Sequence, residues 1–379
     1  MIIGFDAKRA FRNFTGLGNY SRSTIGILSN FSPDNKYILY TPPYNQHPEH
    51  QFANTDNIKI VQPKGMYKFF PSIWRSLGIT PHTKRDNVQL YHGLSGELPT
   101  GLAKHNIRSI VTIHDLIFLR YPHFYKPIDR WIYTKKFKSA CTNADLIIAI
   151  SKQTKQDIID FFGIPEEKIR LVYQGCHPQF YDTCSDENKQ TVAAKYKLPS
   201  NYMLFVGTIE ERKNLNTVVR ALASLPNKYS LVAVGKSTAY IKEVCSEIKR
   251  LGLTNRVHFI HKADFCDLPA IYQQAEVFVL PSVFEGFGIP VLEALNSKIP
   301  VITSNTSCLQ EAGGAHSLYI NPVDDKELEQ TLLRLFSDSG LRNTMIENGY
   351  KHALNFREQK IAGDLWSVYQ ELVTQSSSL

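Results

Sequence analysis

Short β-branched or aromatic runs alternate along this chain with amphipathic stretches of about ten to fifteen residues, a rhythm that admits few folds beyond a parallel sheet covered by helices. In the first half the runs fall at Ile2–Asp6, Tyr37–Thr41, Ile58–Val61, Gln89–Tyr91, Ser109–Ile113, Leu146–Ile150 and Arg170–Tyr173. The pattern restarts with Tyr202–Val206, Leu231–Val234, Val257–Ile260, Val277–Leu280, Val301–Thr303 and Leu318–Ile320. A chain of 379 residues exceeds what one hydrophobic core usually supports, so two open α/β sheets are expected, with a linker near Gly175–Asp182 and a cleft between them.

From Phe356 to Val373 the chain carries Ile361, Leu365, Trp366, Tyr369 and Leu372 at helical spacing, which predicts a helix with one apolar face. No strand follows, so the helix is expected to pack across the other domain. Residues 374–379 are expected to fray.

The opening apolar run is followed at once by Asp6, Lys8 and Arg9, too soon for the apolar core of a signal peptide, and reads as a first strand. No window approaches the roughly 18 apolar residues of a membrane helix. Six cysteines lie scattered without Cys-x-x-Cys spacing, which favours reduced thiols and a cytoplasmic setting. A net charge of +8 calls for an anionic partner, and its sign alone fits a phosphate ligand, a membrane surface or nucleic acid.

In open α/β sheets ligands bind beyond the carboxyl ends of the strands. The most specific motif sits there. Pro281–Ala294 follows the strand Val277–Leu280, turns through Gly286 and Gly288 and enters a helix with Pro290 in its first turn. Such a turn aims free N–H groups and a positive dipole end at an anion. Glu285 before the helix and Glu293 on it could then hold sugar hydroxyls on either side of a bound diphosphate; read blandly, the glycines form a turn and Glu293 is a surface carboxylate.

A second strand end, Phe205–Asn214, brings Arg212 and Lys213 to a helix start after Gly207 and Thr208. Adjacent cations oppose the dipole there unless an anion lies between them, which suggests phosphate binding; taken alone, an Arg-Lys pair is usually a solvated face. In Asn13–Tyr20, Gly16 and Gly18 open a helix through Ser29, with no third glycine and no acidic residue at dinucleotide spacing. His114 and Asp115 end the strand Val111–Ile113, and His92 ends an earlier one; each fits either the cleft edge or a structural hydrogen bond.

These motifs resemble the GT-B-fold glycosyltransferases of family 4, a large family of retaining enzymes, through the Glu, seven residues, Glu signature of Glu285–Glu293, the Gly207–Asn214 segment and the late helix. Val111–Leu116, Ser151–Ile158 and Gly207–Leu215 are similar to mannosyltransferases of bacterial O-antigen and polysaccharide assembly. The resemblance implies an α/β chain of two Rossmann-like domains facing each other across a cleft. Residues 1–176, with 357–379 crossing back onto them, would form the acceptor domain, and 177–356 the nucleotide-sugar domain.

By the same resemblance, Glu285 would contact hydroxyls of the donor sugar and Glu293 the ribose. Arg212 and Lys213 would neutralise the diphosphate, helped by backbone N–H groups of Gly286, Phe287 and Gly288. Gly16 and Gly18 would let the first loop approach donor and acceptor, and His114 would sit near the reacting carbon. Many relatives carry an additional Arg where this chain has Thr208 beside Gly207. No Asp-x-Asp metal motif is present where such chemistry needs one, so neither metal nor cofactor is expected, the nucleotide-sugar being a substrate.

The donor implied is GDP-mannose, with a UDP-sugar as the alternative. The acceptor implied is a glycan or lipid-linked glycan, and the place the cytoplasm or the inner face of an anionic membrane, touched by the basic segment Lys126–Lys138. A non-catalytic lectin-like or nucleic-acid-binding protein, or a dehydrogenase, would be other uses of the same frame; the phosphate-binding motifs favour an enzyme without nucleic acid as partner.

Overall fold

In the computed structural model, which describes residues 1–374, the chain divides into two compact units. Met1–Gln174 and the helix Glu358–Thr374 belong to the first, and Gly175–Arg357 form the second.

The first unit holds a seven-stranded parallel sheet of β1 (Ile2–Asp6), β2 (Lys36–Tyr40), β3 (Ile58–Val61), β4 (Leu90–Gly93), β5 (Arg108–Ile113), β6 (Leu146–Ala149) and β7 (Ile169–Leu171). Their order is β3-β2-β1-β4-β5-β6-β7. The second holds a six-stranded sheet of β8 (Tyr202–Val206), β9 (Ser230–Val234), β10 (Val257–Ile260), β11 (Val277–Leu280), β12 (Val301–Ser304) and β13 (Leu318–Ile320), in the order β10-β9-β8-β11-β12-β13. Both sheets wind outward in two directions from a central pair, β1/β4 and β8/β11, which is the doubly wound arrangement.

The strands are apolar on both faces because helices cover both, and β4, β6, β9, β11 and β12 are buried along their whole length. Several edges differ from the sequence reading by a residue or two. Gln89 precedes β4 because its amide oxygen accepts from Ile2 N while its own N–H donates to Ile2 O, tying it to the edge of β1.

A short helix, Lys8–Arg12, intervenes between β1 and the longer helix Gly16–Phe31, so the glycine turn does not follow the first strand directly. The late helix Glu358–Thr374 buries Ile361, Leu365, Val368, Tyr369 and Leu372 in the first unit against the helix Gly16–Phe31. Val368 takes the place in the stripe expected of Trp366, which sits half-buried at its edge with its ring 6.3 Å from that of Tyr369. The helix is also pinned by polar contacts. Tyr369 Oη lies 2.6 Å from His92 Nδ1 inside the core, and Glu371 pairs with Arg170 of β7.

Candidate active site

Between β8 and β11 the winding of the second sheet reverses, and a ligand crevice opens at the carboxyl ends of such a pair. The two strongest motifs leave from those ends: β8 runs into Gly207–Asn214 and β11 into Pro281–Gly288.

Gly207 adopts φ 150°, and a Cβ there would stand 2.9 Å from Cδ, Cε and Nζ of Lys213. Glycine is therefore what lets the lysine stem cross the strand end. Arg212 and Lys213 close a 3-10 turn, Glu211–Lys213, and Asn214 takes a left-handed conformation before the helix Leu215–Ser224. The two cations thus stand in the turn ahead of the helix and not on it. Val283 N donates to Arg212 O at 2.8 Å, drawing the second motif against the first.

Glu285 is where they meet. Its Oε1 accepts from Lys213 Nζ at 2.8 Å and from Ser282 Oγ at 2.8 Å, while its Oε2 lies 2.8 Å from Arg212 Nη1. Arg212 also pairs with Glu210 at 2.6 Å and donates to the Phe284 carbonyl. Burial by itself would push the Glu285 carboxyl up, but Arg212 and Lys213 outweigh it and hold the group at about 2. Within the chain, the anion that faces the adjacent cations is thus Glu285.

Glu293 stands in the second turn of the helix Ile289–Asn296, whose N-terminus is formed by Gly288 with Pro290 behind it. It differs sharply from Glu285. Burial pushes its carboxyl up to about 7, and Tyr272 Oη, donating at 2.7 Å, offsets only part of that effect. Two carboxylates of one signature are thereby shifted in opposite directions: Glu285 stays charged and cation-bound near neutral pH, whereas Glu293 is poised to lose or gain its proton there.

The remaining residues of the motif divide. Gly286 and Thr208 are partly accessible in the two turns. Phe287 is buried with its ring 5.7 Å from that of Phe356, and its carbonyl accepts from Cys308 Sγ, so its side chain serves packing.

Gly16, Gly18 and His114 lie in the first unit. A Cβ on Gly18 would stand 1.7 Å from Asn13 O, so this glycine answers to local packing, whereas one on Gly16 would meet nothing within 4 Å. His114 leaves the end of β5 almost buried, with Nε2 2.9 Å from Leu94 O and Tyr20 packed edge-on at 4.5 Å. A carbonyl only accepts, so Nε2 carries the proton. Burial lowers this histidine to about 4, so the ring is neutral at pH 7 with Nδ1 as its acceptor.

His92 is different in kind. Its nitrogens lie 2.6 Å from Tyr369 Oη and 2.8 Å from Thr112 Oγ1, and it is fully buried, which makes it a core link and not a ligand-binding group. Asp115 accepts from Ile117 N at 3.2 Å, at the entry to a short helix.

Sequence reasoning missed Ser282, Tyr272 and Glu210, which orient Glu285, Glu293 and Arg212. Ser282 and Glu210 sit inside motifs already singled out, three and two residues from the charged groups they contact, and that nearness was the available signal. Tyr272, 21 residues before Glu293, carried none.

The C-terminal half, residues 187–352, matches the family model described as Glycosyl transferases group 1, and residues 34–180 match that of Glycosyltransferase Family 4. Among curated relatives, O-antigen chain mannosyltransferase B of Escherichia coli is 28% identical over 289 residues, covering 75% of this chain and 74% of its own. O-antigen chain mannosyltransferase RfbU of Salmonella typhimurium is 28% identical over 222 residues, 59% of each chain. Among solved structures, Anabaena Alr3699/HepE in complex with UDP and glucose superposes with a TM-score of 0.78 over 98% of this chain and 100% of that one, at 18% identity.

Proposed function

This chain is a glycosyltransferase of the GT-B fold resembling family 4, and from that premise we propose that it is a retaining, metal-independent hexosyltransferase carrying mannose from GDP-mannose to a glycan or lipid-linked glycan in O-antigen or polysaccharide assembly. The observation that carries the proposal is the cluster in which Glu285 bridges Arg212 and Lys213 at the β8/β11 switch point. The names of the curated relatives favour mannose. The UDP in the Anabaena structure supports the second reading, a UDP-sugar donor in the same site.

In this reading the donor diphosphate displaces the cations from Glu285. Arg212 and Lys213 then face the oxygens that gain charge as the bond from the sugar's anomeric carbon to the diphosphate breaks, aided by N–H groups of Gly286–Gly288. Released from the cations, Glu285 accepts from hydroxyls of the donor sugar, and Glu293 takes the ribose. Neutral His114, with Nδ1 open as an acceptor, orients a sugar hydroxyl and gives no proton. Thr208 leaves one phosphate cation fewer than many relatives possess, which places more of the charge stabilisation on Arg212 and Lys213. The enzyme works in the cytoplasm or peripherally at the inner membrane face.

A thermal-shift panel of nucleoside diphosphates and nucleotide-sugars tests the donor, and release of nucleoside diphosphate with and without acceptor, in EDTA, tests the activity. Stabilisation by GDP-mannose above other donors and turnover indifferent to chelator are expected. Silence toward every nucleotide-sugar would sink the proposal.

A further inference from the structure

The turn that carries Glu285 is held from behind by a run of polar side chains. β12 ends at Ser304, and the residues after it lead into the short helix Leu309–Gly313. Ser304 Oγ donates to Ser282 O, and Thr306 Oγ1 donates to Val283 O at 3.0 Å. Ser307 Oγ accepts from Glu285 N at 3.2 Å, and Cys308 Sγ lies 3.1 Å from both Glu285 O and Phe287 O. Side chains of one strand end thus grip the backbone of its neighbour's turn, and both backbone groups of Glu285 are among those held.

The grip is set firmly. Ser307 takes φ 54°, a left-handed conformation that is costly for a residue with a side chain and persists where its surroundings over-determine it. A Cβ on Gly288 would stand 3.1 Å from Ala312 Cβ and from Leu309 Cδ2, so the helix that follows the run packs against the end of the turn. Cys308 is wholly buried, and burial with the nearby Glu285 charge pushes its thiol well up, which keeps it protonated as a donor.

Peptide geometry carries this grip to the other side of the turn. No cis peptide bond is present among the described residues, and in a trans peptide the C=O of one residue and the N–H of the next point in opposite directions. The carbonyls of Glu285 and Phe287 both face Cys308. The N–H groups of Gly286 and Gly288 therefore face away from it, and among the described residues neither meets an acceptor. Because only backbone is held, the arrangement does not depend on where the Glu285 carboxylate lies.

We infer that Ser307 and Cys308 are positioning residues for sugar transfer, which aim the Gly286 and Gly288 N–H groups at the departing diphosphate and hold that aim while the Glu285 side chain exchanges its cations for sugar hydroxyls. Donors fixed in advance need no reorganisation as charge develops. The inference rests on the nucleotide-sugar reading of this site and adds to it the residues that keep the turn in register.

Hydrogen exchange of the full chain without ligand tests the grip, and steady-state kinetics with GDP-mannose and then UDP-glucose tests its use. Ser307→Gly keeps the left-handed conformation accessible and removes the hydroxyl. Cys308→Val keeps an apolar side chain of similar size and removes the donor, whereas Cys308→Ser restores one. In the Ser307→Gly/Cys308→Val protein, exchange across residues 284–288 should rise by at least about tenfold. Its kcat should fall by about tenfold or more, as for misplaced donors, with donor KM changed by less than about threefold. Cys308→Ser should keep most of the turnover that Cys308→Val loses, and the single variants carry the same test should the double one not fold. Unchanged exchange, wild-type kcat in the folded variants, or equal losses in Cys308→Val and Cys308→Ser would overturn the inference. A wild type inert toward both donors would count instead against the nucleotide-sugar reading, while the exchange measurement, which uses no ligand, decides the grip by itself.

Discussion

The stem of Lys213 lies over Gly207, so close that a Cβ at position 207 would stand 2.9 Å from three of its atoms. Along that path the lysine amine arrives 2.8 Å from Glu285 Oε1. The glycine thus acts on the site through the course of a side chain six residues further on.

Gly207→Ala should therefore mimic loss of the lysine. The added methyl pushes the stem aside, and φ 150° is strained for any residue but glycine. Turnover is expected to fall by about 10²–10³, the range for losing one preorganised charge-stabilising donor. Steady-state kinetics on folded protein decides: near-normal turnover in Gly207→Ala, beside a crippled Lys213→Ala, would show that the lysine finds another route.

Charge stabilisation and recognition should separate kinetically. If Lys213 and Arg212 meet the charge that develops on the diphosphate, Lys213→Ala and Arg212→Ala should lower kcat by about 10²–10³ each. If Glu293 holds the ribose, Glu293→Ala removes a contact made equally before and during reaction, so it should chiefly raise the donor KM. Glu285→Ala should harm kcat more than Glu293→Ala does. Wild-type turnover in folded Lys213→Ala and Glu285→Ala proteins would remove the assignment of this site.

Glu293 should leave a mark on the pH profile. Its folded-state pKa is raised by burial to about 7 from an ordinary 4.5, so the native protein holds this proton over a range in which the unfolded chain has lost it. The stability tied to that proton is complete below about pH 4.5 and is lost as pH rises through 7. If the ionised form receives the ribose hydroxyls, donor KM should drop by about tenfold at most between pH 6 and pH 8, the limit for one group titrating near 7. Glu293→Gln should flatten that dependence; an unchanged slope in the variant would assign the titration elsewhere.

Tyr369→Phe should weaken the first unit without touching the proposed chemistry. It leaves His92 Nδ1 buried without its hydroxyl partner, at a cost of about 1–3 kcal/mol. Thermal unfolding should begin several degrees lower while donor KM at low temperature stays normal, and an unaltered melting curve would show that the hydrogen bond contributes nothing net.

Local patterns were legible in the sequence, and distant partnerships were not. The run from β11 through Gly286, Gly288 and Pro290 announces a strand, a turn and a helix start within a few residues, so Glu285 and Glu293 could be placed beforehand. That Glu285 lies between Arg212 and Lys213 depends on residues 72 positions apart, joined only by the order of strands in the second sheet. The opposite shifts of Glu285 and Glu293 were equally hidden, since both read as carboxylates until their surroundings are known. His92 stayed open between two readings because a histidine at a strand end looks alike whether it meets a ligand or, as here, a tyrosine of the last helix. Gly16 and Gly18 form one pattern on paper, yet only Gly18 is held by a close backbone neighbour.

The pairing of His92 with Tyr369 joins positions 277 residues apart and also sets an order of assembly. A ribosome adding roughly 5–20 residues per second would need on the order of 14–55 seconds to pass from one partner to the other. The second unit is one uninterrupted stretch and can close as soon as it emerges, whereas the first must keep a gap in its core until its last helix is made. The unit that is begun first is therefore the one whose chain is completed last. A polypeptide ended before Glu358 and freed from the ribosome should present a finished second unit beside a first that still awaits its closing piece.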